Sequence, residues 1–328
     1  MNYRYELVIA FCCVALHLLA QQPAQYSLYM LNPYAVNPAV AGMDQTLVAN
    51  GVYRAQWVGL DGAPTSQHIN AHLPLSMVSS GVGLKMENDV LGAHRTTRVV
   101  GSYAFHRAIN RNTVLSAGVG FGFLQYALDG AKLRTVDGQY EPGGPISNND
   151  PNLPDGKVQA GIPLAEAGIY LQNTRFQVGL GLTPAFAPRL NSSSSQNGAL
   201  ALRVRRGWFA HAVYNMVLND RLVLRPSFLL KSDITETQME ISVVGRWDNN
   251  IFAGASWRGY SSTSRDALVI LGGLPLNEKT TLAYAYDVPL SALQAVQRGS
   301  HEISLRYSLN RPIGAGKLPP VIYNPRFF

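Results

Sequence analysis

Few side chains in this sequence are spaced for chemistry, and each candidate competes with a plainer use. His301 and Glu302 are adjacent, as in a metalloprotease helix, but no second histidine follows at helical spacing and both fall in a strand pattern. Gly118, Gly120 and Gly122 have the glycine density of a phosphate-cradling loop. They are evenly spaced between apolar residues and no helix pattern follows, so they read as a strand face needing close backbone approach. His68 and His72 would share one face of a helix. Here they share a strand face with Asn70, and no third metal ligand can be named. Asp287 and Glu302 could pair across neighbouring strands as general acid and base. Ion pairing to arginine inside a barrel is the plainer use of both. No catalytic, metal or cofactor-binding residue is assigned, and no enzyme is expected.

The elements that hold these residues are strands. Leu282, Tyr284, Tyr286 and Val288 alternate with Thr281, Ala283, Ala285 and Asp287. Ile303, Leu305 and Tyr307 alternate with Glu302, Ser304 and Arg306. Leu115, Ala117, Val119, Phe121 and Phe123 face away from Ser116 and the three glycines. A period of two puts each set on its own face of a sheet. About 14 such strands fit between residues 46 and 310, the seventh over 174–188 and the eighth over 202–217. Most are long enough to cross a bilayer at a tilt. The connections agree with an all-β transmembrane antiparallel barrel. Its fifth connection, Asp129 to Asp155, and its seventh, around Asn191 to Asn197, are long. Short connections such as Gln172–Asn173 and Asn219–Asp220 alternate with them, as periplasmic turns alternate with outer loops.

Bulk properties point the same way. Charged residues make up 14% of the chain, against about 25% in ordinary soluble domains. The formal charge of +7 is scattered, without a basic run interleaved with aromatics, so nucleic acid is not an expected partner. Residues 1–20 read as a signal peptide. Arg4 precedes the apolar run Leu7 to Ala20, which is short for a membrane-spanning helix, and small Ala20 precedes Gln21. Both cysteines, Cys12 and Cys13, fall inside it, so the exported chain must be held by packing and backbone pairing alone.

Two segments flank the strands: residues 21–45, rich in Asn and Pro, and residues 311–328, with four prolines. Prolines this frequent do not continue a central strand. With both termini periplasmic, both segments are expected on the periplasmic side of an outer-membrane barrel spanning 46–310. They carry the candidate partner-binding residues: Tyr26, Tyr29, Asn32, Pro33, Asn37 and Pro38 at one end, Tyr323, Asn324, Pro325, Arg326, Phe327 and Phe328 at the other. Aromatics and arginine commonly anchor interfaces. The alternative is that these ends tuck into the barrel as a plug. The register also projects a polar interior of Arg54, Gln56, His68, His72, Arg98, Arg203, Arg205, Arg225, Arg258, Asp287, Glu302 and Arg306. Its basic excess would either select anions or brace a filled lumen.

Three stretches resemble one family. The first is Pro23-Ala24-Gln25-Tyr26-Ser27-Leu28-Tyr29-Met30-Leu31-Asn32-Pro33 with Asn37-Pro38-Ala39-Val40-Ala41-Gly42. The second is Tyr53-Arg54-Ala55-Gln56-Trp57-Val58-Gly59, followed by His72-Leu73-Pro74-Leu75. The third is Ser300-His301-Glu302-Ile303-Ser304-Leu305-Arg306-Tyr307 with Tyr323-Asn324-Pro325-Arg326-Phe327-Phe328. Together they resemble the PorP/SprF outer-membrane proteins of the type IX secretion system. The resemblance implies a non-enzymatic role in exporting or attaching cargo, gliding adhesins among it. The implied partners are outer-membrane lipid, periplasmic components of the secretion apparatus and the secreted cargo. The sequence departs by one extra residue between Pro23 and Tyr26, and the loop over 129–155 matches nothing in the family pattern. A passive porin-like channel or a carrier of small hydrophobic molecules is the alternative function.

Overall fold

A computed structural model describes residues 24–135, 138, 153–154, 156–184, 189–191, 201–203, 206–233, 237–248, 250–259 and 265–313. The expected signal peptide, Arg205 and Tyr323 to Phe328 lie outside them.

The alternating segments form fourteen antiparallel strands closed into a ring. They are β1 (Val48–Ala55), β2 (Thr65–Leu75), β3 (Ser80–Leu91), β4 (His94–Asn110), β5 (Thr113–Asp129), β6 (Lys157–Asn173) and β7 (Phe176–Thr183). Then come β8 (Gly207–Tyr214, resumed at Met216–Val217), β9 (Leu222–Ser232), β10 (Thr237–Trp247), β11 (Ile251–Gly259), β12 (Arg265–Pro275), β13 (Thr280–Pro289) and β14 (Ser300–Ser308). Each pairs with its sequence neighbour. β1 closes on β14 with Arg54 opposite Glu302, and β7 pairs with β8 with Gly181 opposite Phe209. A closed ring has no edge, so its wall satisfies its own backbone hydrogen bonds inside a bilayer.

Two expected strands are shorter than their apolar patterns. The seventh ends at Thr183 instead of residue 188, and the eighth begins at Gly207 instead of 202. Pro184 cannot donate to the ladder of the seventh strand. Between the two strands, Arg189–Asn191 and Ala201–Arg203 pair only with each other, as a ribbon apart from the wall.

The faces invert the soluble pattern. Outward Ile69, Phe121 and Ile270 are 65%, 69% and 56% exposed, while inward Asn70, Ser116 and Glu302 are buried. Apolar groups outside and polar groups inside are the arrangement that lipid requires. At the end where β1 begins and β14 ends, the turns have four residues or fewer; the long connections 130–156 and 184–206 lie at the other end. Strands β4, β5 and β6 have 17 residues each, where a crossing needs about 9–11. Their surplus lies at the long-loop end. The outer face there becomes polar, with Arg95 donating to Asn88 and Gln125 to Gln159.

Residues 24–46 do not lie beyond the barrel, as the sequence led us to expect. They fill its lumen. Gln25 meets Gln238 at the long-loop end, and Leu47 reaches β1 at the short-turn end. The segment folds as three single 3-10 turns, Tyr29–Leu31, Pro33–Ala35 and Pro38–Val40. Two of these start at a proline, whose fixed φ suits a first helical position. Proline also forces the residue before it out of the helical region, so each Asn-Pro pair interrupts the helix. Asn37 is extended (φ −140°, ψ 112°) and its side chain caps the Ala39 N–H. A chain cut into short turns can bend to the shape of the lumen.

Candidate functional site: the occupied lumen

The long-loop half of the lumen grips the segment with charge. Arg54 donates to Asp287 at 2.6 Å and to Glu302 at 3.1 Å. Arg258 donates to Glu240 at 2.9 Å and to Asp287 at 2.8 Å. These groups face one another because β1, β14, β13, β11 and β10 each point every second residue inward. Into this nest fits Ser27, with no exposed surface. Its hydroxyl donates to Asp287 at 2.6 Å and accepts from Arg54 at 2.9 Å and Arg258 at 2.8 Å. The main-chain N–H groups of Ser27 and Leu28 both donate to Glu302, at 2.7 and 3.0 Å. Buried ions need such charge pairing, since an unmatched one would be strongly unfavourable. Tyr26 donates to Glu87 at 2.9 Å, which also faces His68 at 3.5 Å and Arg98 at 3.8 Å.

The wall from β8 to β12 offers the segment an apolar slot. Leu28, Tyr29, Met30 and Leu31 pack with Phe209, Leu229, Val244, Phe252, Val269 and Leu271. The Tyr29 hydroxyl reaches Ser227 at 3.2 Å and Ser242 at 3.0 Å, so the slot also reads a phenol.

The short-turn half seats the segment by close backbone approach. Ala39 lies so near Gly118 that a Cβ there would meet its Cα and N at 2.5 Å. The Ser116 hydroxyl donates to the Ala39 carbonyl at 2.6 Å. Asn37 donates to the carbonyls of Ile169 and Leu180, at 3.0 and 3.2 Å. Gly42, at φ 77°, turns the chain against Gly81 and donates to His72 at 3.2 Å. Lys85 bridges to Glu166 at 2.5 Å and donates to the Ala35 carbonyl at 3.2 Å. Beside Tyr29 and Glu240, a cavity of about 20 Å³ leaves room for about one water.

The structure gathers most of the projected interior. Arg54, His68, His72, Arg225, Arg258, Asp287 and Glu302 are buried inside, and Arg98 and Arg306 are partly covered there. Arg306 donates to the Leu31 carbonyl at 3.3 Å. Gln56 is off the wall: β1 ends at Ala55, and the Gln56 N–H bonds to Pro64 in the connection. Arg203 belongs to the separate ribbon, because its strand was cut short. The docking candidates Tyr26, Tyr29, Asn32, Pro33, Asn37 and Pro38 all sit in the lumen, Asn32 accepting from Asn70 at 3.0 Å. Lys85, Glu87, Glu166 and His106 were missed in the sequence, although the same alternation points each inward. Among the described residues, no three metal-ligating side chains converge.

A family model described as type IX secretion system membrane protein PorP/SprF matches residues 18–307. No curated protein matches in sequence. Among solved structures, a FadL homologue of Pseudomonas aeruginosa is similar at 15% identity and TM-score 0.47, over 83% of this chain and 92% of that one. The toluene transporter TbuX of Ralstonia pickettii is similar at 12% identity and TM-score 0.48, over 85% and 92%. The CymD monoaromatic hydrocarbon channel is similar at 11% identity and TM-score 0.49, over 88% and 94%.

Proposed function

The chain belongs to the PorP/SprF family of type IX secretion system membrane proteins, and on that premise we propose that it serves secretion by binding proteins, not by conducting solutes or by catalysis. The observation that carries this reading is the lumen filled by residues 24–46 and bonded to the wall from end to end. A route for small solutes would need that space. Arg54, Arg258 and Lys85, which could have selected anions, are instead paired with Asp287, Glu302, Glu240 and Glu166.

With the N-terminal aromatics enclosed, docking falls to the C-terminal tail and the barrel's ends. The tail leaves at the short-turn end, where Ile313 donates to Gln45 and Arg311 accepts from Thr46. Short turns face the periplasm in bacterial barrels, so Ile313 stands on the side of the periplasmic apparatus, and the docking residues of this reading are Tyr323, Asn324, Pro325, Arg326, Phe327 and Phe328. Aromatic residues and arginine supply anchors, and prolines reduce the entropy lost on docking. The cargo class is a secreted surface protein such as a gliding adhesin.

The test is deletion of Tyr323–Phe328, with barrel level in the outer membrane, cargo export and capture of periplasmic partners measured together. Normal barrel level with lost export and lost partners is expected. Normal export would remove the tail as a required docking element.

A further inference from the structure

The wall does not need the segment in order to be a barrel. Its hydrogen-bonded ring closes by itself, and its ion pairs Arg54–Asp287, Arg54–Glu302, Arg258–Glu240 and Lys85–Glu166 run from wall to wall. Withdrawing the segment would orphan none of these charges. The segment in turn is held as a ligand is held. Glu302 takes two successive main-chain N–H groups, which any peptide except proline can offer. The nest takes the Ser27 hydroxyl through one donated and two accepted hydrogen bonds, in a space with no room to spare. Two residues on, the serines of β9 and β10 take the phenol of Tyr29, and five residues on, Asn70 takes Asn32. Main-chain contacts supply affinity and these side-chain contacts supply selection.

We propose that the lumen is a peptide-binding site that reads Ser-Leu-Tyr followed three residues later by Asn, and that residues 24–46 are its resident, exchangeable ligand. A partner segment of the same chemistry competes for the site. Its small hydroxyl residue enters the nest between Arg54 and Arg258, and its Leu-Tyr pair enters the apolar slot. This rests on the reading of the barrel as a protein-binding component. It also explains why the motif carrying the family resemblance, Tyr26-Ser27-Leu28-Tyr29-Met30-Leu31-Asn32-Pro33, lies where no partner could reach it while the resident stays in place.

The experiment uses the full chain with a specific protease site inserted between Asp44 and Gln45. Cleavage converts the tethered segment into a bound peptide. The folded barrel, checked by its heat-dependent gel mobility, is then mixed with a fluorescent synthetic peptide spanning Ala24–Asp44. Saturable exchange into the barrel is expected. A Ser27→Ala peptide should compete about tenfold or more weakly, because it loses hydrogen bonds to charged groups. As a second variant without any cut, full-length Ser27→Ala protein should take up the unaltered peptide more readily than the unmodified protein does. Failure of the labelled peptide to enter either protein would overturn the proposal, as would equal entry of a scrambled peptide. Neither outcome touches partner capture through the tail, so the two readings fail separately.

Discussion

The two halves of the lumen hold the same segment by different physics. Near the long loops, Ser27 is fixed by directional bonds to two guanidinium groups and two carboxylates. Near the short turns, Ala39 and Gly42 are fixed by contact of backbone on backbone, at Gly118 and Gly81. The first grip depends on charge complementarity and will respond to chemistry; the second depends on missing side chains and will respond to volume. An element seated both ways has one end whose hold depends on charge and one end whose hold depends on close fit. The covalent link to β1 is at the second end.

The comparison can be broken most forcefully at Arg54. Arg54→Ala strips one partner from Asp287 and Glu302 and leaves buried carboxylates short of charge, a loss of about 3–5 kcal/mol. The denaturant midpoint of the folded barrel, followed by heat-dependent mobility, should fall accordingly. An unchanged midpoint would mean that the nest is solvated and the grip weak.

Leu305→Arg tests the wall that both halves share. Arginine facing mid-membrane lipid is unfavourable by about 2–4 kcal/mol, whereas Leu305→Phe keeps the outer face apolar. Assembly in the outer membrane should suffer far more from the first. Gly118→Val tests the seat: overpacking there is expected to cost about 1–3 kcal/mol and to dislodge Ala39. A single cysteine placed at Ala39 should become reactive to a soluble thiol reagent in that background and stay protected with Gly118 intact. The smallest effect belongs to Tyr29→Phe. It removes the hydrogen bonds to Ser227 and Ser242 but keeps the ring in its slot, a change of about 1 kcal/mol. A larger loss would show that the slot selects by hydrogen bonding more than by burial.

The wall was legible in the sequence because its signal is local and periodic. Ile303 to Tyr307 or Leu115 to Phe123 state their two faces residue by residue, and the inward side of Arg54, Asp287 and Glu302 follows from parity alone. Parity failed where strands stopped early, at Gln56 past Ala55 and at Arg203 beyond the prolines of the seventh connection. The lumen filling was one of two readings the sequence left open, and its contacts were not legible. Tyr29 in a dry slot and Tyr29 at an interface have the same sequence, and nothing near Ser27 announces carboxylates that lie 260 and 275 positions away. Gly118 gave a partial signal: it was read as a place of close backbone approach, and the approaching backbone is Ala39.

The barrel is closed by its own chain, residues 24–46 filling the lumen. Ion conductance of the purified full-length protein in planar bilayers tests it. No steady current is expected through the unmodified protein, and current is expected once residues 24–44 are deleted from a wall that closes on itself. Steady, porin-like current through the unmodified protein would contradict it.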